Sequence, residues 1–224
     1  MNSLFVDPKG QLDDIIIENE GTSPLLFAFF EDACDRDIRI RVKGNASVKI
    51  ALADFSRGKG ETRVSIDLDE PGASAEFHAA VLSSGDDRKT VLANCFHHAH
   101  HTEGLIESYG IAEGNSRLSF LGKSDISKGA YGSKTRQSAK IIVFDERCVA
   151  QASPILCIDE NDVQASHAAG VGKLNEEHIY YLLSRGLSLA DARRLISLGY
   201  LKPIESFFEG DTRTRIEEAI ERGI

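Results

Sequence analysis

The strongest constraint on this chain is a period-two alternation of apolar residues that recurs at short intervals from Ile38 onward. Ile38, Ile40 and Val42 alternate with Arg39, Arg41 and Lys43. After Gly44-Asn45, the positions Val48, Ile50 and Leu52 alternate again. Val64, Ile66 and Leu68 follow Gly58-Lys59-Gly60, and Ala75, Phe77 and Ala79 follow Glu70-Pro71-Gly72. Alternation of this kind gives each strand one buried and one wet face, and Gly, Asn, Asp and Pro supply the turns. Strand starts fall near 38, 48, 62, 75, 90, 105, 117, 139 and 155. Nine short strands without interleaved helices predict one of two architectures: an antiparallel sandwich, or a solenoid whose coils each contribute two or more strands. The ends of a solenoid need caps, and a helical tail is a candidate for one of them.

That tail begins after Leu174. Asn175 is a predicted N-cap, with Glu176 and Glu177 in the positive first turn of the helix. Ile179, Leu182 and Leu183 form its apolar stripe, and Gly186 after Arg185 ends it. Ser188 caps a second helix with Asp191 three residues on, and Gly199 is its expected end. Pro203 opens a short turn of helix through Phe208, and residues 212–222 form a charged last helix with Ile216, Ala219 and Ile220 on one face. The predicted organisation is a β core over 1–174 and a helical domain over 175–224. Within the core, 1–37 is irregular, with short strands at Ile15-Ile16-Ile17 and Leu25-Leu26-Phe27 around the turn Asn19-Glu20-Gly21.

Bulk properties exclude several classes of function. With 224 residues and a formal charge of −9, the chain lacks the clustered Lys and Arg that phosphate contact needs. Its one basic cluster, Lys134, Arg136 and Lys140, is thin and reads as solvated turn residues. The longest apolar run, Leu25 to Phe30, falls far short of the ~20 residues that span a bilayer. Cys34, Cys95, Cys148 and Cys157 form no Cys-x-x-Cys pair, which argues against a zinc ribbon or a ferredoxin-type site. A reducing cytoplasm is the simplest setting for them. The sequence holds no Walker A loop, nucleophile elbow or dinucleotide fingerprint.

Two stretches carry candidate chemistry. The first is the hinge between the strand-like and helical textures, where His167 stands among Ala165, Ser166, Ala168, Ala169, Gly170 and Gly172. A lone large side chain in such company can face a partner or a metal, and the small residues permit close backbone approach. Taken by itself, His167 can equally be a metal ligand, a general base or a capped core histidine. The second is the run His97-His98-Ala99-His100-His101. On a strand, His97 and His101 would share one face, and His98 and His100 the other. Each pair lacks a third ligand, so a polar strand edge or stacking between rungs is the plainer account. Cys157 lies in the apolar run Ile155-Leu156-Cys157-Ile158 and reads as a buried thiol, whereas Cys148 reads as more accessible.

From Phe96 to Gly199 the chain resembles the SufB/SufD family of iron–sulfur cluster assembly proteins. The matching pieces are His98, Thr102 and Glu103; Tyr109-Gly110; Phe120-Leu121-Gly122; and Gln137-Ser138-Ala139. They continue through Ala152-Ser153-Pro154-Ile155-Leu156-Cys157-Ile158, Asp162 to Ala169, Val171-Gly172, and Tyr181-Leu182-Leu183-Ser184-Arg185-Gly186. The resemblance implies a right-handed parallel β-helix followed by a small α-helical C-terminal domain. It implies a cytoplasmic, non-catalytic scaffold that pairs with a SufB/SufD-like subunit or with itself. An ABC-type ATPase would grip the C-terminal helices, through Tyr181, Leu182, Arg185, Gly186 and Leu198, and no nucleic acid or membrane would be bound. His167 matches a functionally important interface histidine of SufD-like members, and His98 is a second, weaker metal candidate. SufB-like members carry Glu where Ala168 stands and a functional cysteine where Ser138-Ala139 stand, so the chain resembles SufD more than SufB. Ala165 also replaces a cysteine often found there. With these thiolates absent, the resemblance implies an iron–sulfur cluster held transiently at a subunit interface and none bound tightly to the isolated chain. The competing readings are a β-helix enzyme acting on a carbohydrate or small acid, and a purely structural β-solenoid oligomer.

Overall fold

A computed structural model describes residues 3–19, 21–174 and 176–222. It is a parallel β-solenoid of about 6 turns followed by three helices. One sheet runs in the order β1 (Ser3–Val6), β4 (Gly21–Phe29), β6 (Ala46–Asp54), β8 (Ser74–Ser83), β10 (Glu103–Ala112), β12 (Ser133–Val143), β14 (Val163–Lys173). The facing sheet runs β13 (Val149–Ile158), β11 (Arg117–Ile126), β9 (Arg88–His97), β7 (Lys59–Leu68), β5 (Arg36–Val42), β2 (Gly10–Gln11), and β3 (Ile15–Ile17) also pairs with β5. From β3 onward successive strands alternate between the sheets, and neighbours within each sheet are parallel, so the sandwich alternative falls and the solenoid stands.

The alternation seen in the sequence is the lumen. Ile38, Ile40, Val42, Val48, Ile50, Leu52, Val64, Ile66, Leu68 and Phe77 are all fully buried and belong to one core between the sheets. Burying each such side chain contributes about 1.5–3 kcal/mol. At the corners, glycine is required where backbones stack. Gly114 has φ +72°, and a Cβ there would lie 3.1 Å from the backbone of Gly85 one rung below.

A second apolar cluster lies outside the lumen. The outward residues Leu26, Ala28, Ala51, Ala53, Ala80, Leu82 and Ile111 are buried by Leu201, Ile204, Phe208, Ile216 and Ile220. These come from α2 (Leu189–Leu201), a 3-10 segment (Lys202–Phe207) with the residue after it, and α3 (Gly210–Arg222). The tail therefore flanks one sheet across several rungs and does not cap an end. Strands buried on both faces lose alternation and read as continuous apolar runs, as Ala51-Leu52-Ala53 does.

Four further expectations change. The first 37 residues carry four strands, and β4 is a full member of the first sheet, with Phe27 and Phe29 fully buried. The stretch that reads as a hinge is itself a strand, β14. Helix α2 runs through Gly199 to Leu201, and the turn of helix opened by Pro203 follows directly. Lys134, Arg136 and Lys140 lie on β12 and not in a turn; at period-two spacing they share its outward face. The expected turn at Asn19-Glu20-Gly21 and the Asn175 cap involve positions outside the described residues.

Candidate functional site

The last rung is built differently from those beneath it. Along the lumen of the first sheet, parallel register stacks Leu25, Ile50, Phe77, Ile106, Gln137 and His167 in one column. The column is apolar until its last two members. Gln137 is buried, and its Nε2 donates to Ser124 Oγ at 2.7 Å and to the Ile155 carbonyl at 3.0 Å. Thr135 Oγ1 donates to the same Ser124 Oγ at 2.8 Å, while Gln137 Oε1 has no partner. The lumen thus turns polar one rung before its end. His167 follows on the lumen side of β14 and is exposed, because no described strand stacks above it. Every residue of β14 after Val163 is exposed, and β13 opposite it is exposed or half-buried throughout.

Beside this open end stands α1 (Glu176–Ser184). Its C-terminus is a Schellman stop: Leu187 N–H donates to Leu182 O at 3.3 Å and Gly186 N–H to Leu183 O at 3.0 Å, with Gly186 at φ +91°. The next helix starts at its predicted cap, where Ser188 Oγ accepts from Asp191 N–H at 3.1 Å. Yet α1 buries little. Tyr180 is 75% exposed, Tyr181 56% and Leu183 41%, and the Arg185 guanidinium stacks 5.2 Å from the Tyr181 ring. Leu182 and Leu198 are half-buried, and Leu198 packs into the cluster between helices and sheet. Between α1, α2 and the solenoid corner lies a cavity of ≈ 490 Å³ lined by residues including Phe144, Leu174, Ile179, Tyr180 and Leu183.

Charges tie the helices to the corner under that cavity. Arg193 donates to the Phe144 carbonyl at 3.1 Å and to Asp145 Oδ1 at 3.2 Å. The Gly114 N–H, which donates to Asp145, and the Arg193 cation hold the Asp145 carboxyl below its usual range. Burial, reinforced by Asp145, pushes the neighbouring Glu113 up to about 6.

The histidine run does not form the expected paired faces. Strand β9 ends at His97, and residues 98–101 turn the corner, with His101 at φ +55°. His97 points into the lumen, 2.8 Å from Thr102 Oγ1 and 3.6 Å from Cys95 Sγ. Burial pushes His97 down to about 4 and the Cys95 thiol up to about 12, so both are neutral packing groups. His98 points outward to Asp67 Oδ1 at 3.0 Å, and His100 stacks on Tyr131 with ring centroids 4.8 Å apart. The order of thiol accessibility is also reversed. Cys157 is exposed, since it sits on the outward side of an end strand, while Cys148 is half-buried. Apolar neighbours in sequence misled here, because residues adjacent along a strand point to opposite faces.

A shallow groove on the outer face of the first sheet, ≈ 560 Å³, contains Glu76, Glu103, Lys134 and Arg136. Its carboxylates are already ion-paired, Glu103 with Lys134 at 2.8 Å and Glu76 with Lys49 at 3.1 Å.

The described geometry is thus a parallel solenoid with an open last rung, a lumen-side imidazole at its mouth and a largely exposed helix alongside. Comparison with known proteins gives the family. Residues 35–200 match the family described as SUF system FeS cluster assembly, SufBD core domain, and the chain belongs to it. It is 29% identical over 182 residues to the iron–sulfur cluster assembly protein SufD of Bacillus subtilis, covering 80% of this chain and 41% of that protein. It is 26% identical over 132 residues to SufB of the same organism, covering 59% of this chain and 27% of SufB. A SufBD family protein of Mycobacterium leprae is 33% identical over 132 residues, 59% of this chain and 15% of that protein. The chain thus spans less than half the length of these relatives.

Proposed function

We propose that this chain is a non-catalytic scaffold subunit of a SUF-type iron–sulfur cluster assembly complex. It pairs through the open end of its solenoid with a SufB/SufD-like subunit or a second copy of itself. It binds an ABC-type ATPase through its C-terminal helices α1 and α2, with Tyr181, Leu182, Arg185, Gly186 and Leu198 as contacts. The observation that carries this reading is the exposed β14 rung, with His167 at the lumen mouth, next to a helix whose aromatic face is bare. Open strand edges and exposed aromatic and Arg side chains are what docking surfaces offer. The cluster is cargo here. With Ser138 and Ala139 on β12 in place of a thiolate, the chain contributes an imidazole to a nascent cluster, and its partner supplies the sulfur ligands. The ATPase performs the chemistry that consumes nucleotide, and its closure, felt through α1, rearranges the interface at β14. The outer-face groove favours no enzymatic reading, because its acids are neutralised by neighbouring lysines.

The test is co-expression with an ABC-type ATPase and a SufB-like subunit, followed by anaerobic purification and iron and sulfide analysis. Co-elution of all three is expected. Tyr181→Ala with Arg185→Ala should release the ATPase, and His167→Ala should lower iron and sulfide content while leaving assembly intact. Absence of co-elution, or a His167→Ala complex with unchanged cluster content, refutes the reading.

A further inference from the structure

We infer that Asp67, Asp69 and His98 form a binding site for a borderline divalent transition-metal ion such as Zn²⁺, on the outer face of the second sheet. The solenoid register builds it. Asp67 pairs with Phe96 and Leu68 with His97, so the next step places Asp69 beside His98 one rung above. Backbone bonds pin both positions: His98 N–H donates to Leu68 O at 3.1 Å, and Asp69 N–H to Val42 O at 3.0 Å. Leu68 and His97 point into the lumen, which turns the residues flanking them outward. One ligand atom from each of the three side chains lies within 4.8 Å of the others.

The donor set selects the ion. One imidazole with two carboxylates suits Zn²⁺ or Fe²⁺ better than the all-oxygen preference of Mg²⁺ or Ca²⁺. Three protein ligands leave a position for water or for a group from another molecule. The carboxylates are sheltered, with side-chain exposures of 17% for Asp69 and 19% for Asp67, while His98 at 43% keeps the site open to solvent. Phe96 lies nearly parallel to the His98 ring, at 9° with centroids 6.1 Å apart. Two cations stand by without metal. Arg41 Nε is 2.8 Å from Asp69 Oδ2 and Arg39 Nε is 3.8 Å from Asp67 Oδ2. Both are substantially exposed and can swing away, so they act as competitors that a metal displaces. The site stands on geometry in the second sheet and is independent of the role proposed for His167.

The test uses the full metal-stripped chain, titrated with Zn²⁺ by calorimetry and with Co²⁺ by visible absorption. One equivalent is expected to bind. Loss of a ligand in His98→Ala or Asp69→Asn should weaken binding by about tenfold or more. Arg41→Gln, which removes the competing guanidinium, should tighten it. His167→Ala and the double variant His100→Ala, His101→Ala should leave it unchanged. No saturable binding, binding indifferent to His98→Ala and Asp69→Asn, or binding lost in the His100/His101 variant would overturn the inference.

Discussion

The middle rungs and the last rung are made of the same backbone and differ in what stacks on them. Between β6 and β9 each strand has a parallel neighbour on both sides, and the first sheet is also covered by helices. Phe77, Ile50 and Ile66 there are fully buried. At β13 and β14 the neighbours are one-sided; β13 leaves Val149, Ile155 and Ile158 exposed, and on β14 the side chains become mostly small or polar: Gln164, Ala165, Ser166, Ala168, Gly170. A rung that must close a core spends its lumen positions on packing. A rung without that duty can present an imidazole, an open hydrogen-bonding edge and a nearly bare helix.

The sharpest way to break this contrast is by large-to-small substitution in both places. Phe77→Ala should cost about 3–5 kcal/mol in denaturant unfolding. Leu156→Ala on half-buried β13 should cost under about 1 kcal/mol, within the range of substitutions that open no sealed cavity. Equal costs would mean that the last rung is covered in solution.

A smaller effect probes the junction between helices and solenoid. The Glu113 carboxyl, raised by burial to about 6, binds its proton more tightly folded than unfolded. The stability it contributes is fully present below about pH 4.5 and is lost as pH rises through about 6, a change of about 1 kcal/mol once the full shift is discounted for the solvent screening of a half-buried group. Glu113→Gln should remove that slope from a series of melts between pH 4 and 7, and an unchanged slope would place its origin elsewhere.

The smallest effect belongs to His167. Its substitution by Ala should leave unfolding free energy within about 0.5 kcal/mol, as for an exposed side chain. A substantially larger cost would show it packed and would remove it from the open end.

Much of the fold was legible because lumen packing writes itself into alternation. The strands from Ile38 to Ile126, the Gly186 stop and the Ser188 cap all follow from local rules that hold in the structure, whereas β12 and β13 each begin six residues before the starts expected near 139 and 155. β14 escaped detection because a terminal rung has no apolar face to repeat. The outward alanines of β6 and β8 were ambiguous because burial on both faces erases the period. Within the candidate site, His167 stood out as the one large side chain in a small-residue stretch. The Asp67–Asp69–His98 group had no sequence signal, since His98 lies 31 residues from Asp67 and meets the two acids only through register.

Sequence alone determined where the strands from Ile38 to Ile126 run, which side of each is apolar, where α1 stops and where α2 starts, because those depend on residues close along the chain. Tertiary structure alone decided that the strands stack in parallel, which rung is left open, which sheet the helices cover, and which acids meet a histidine. Those outcomes depend on pairing between residues a full coil apart, and a period of two names a strand's faces without naming its neighbours.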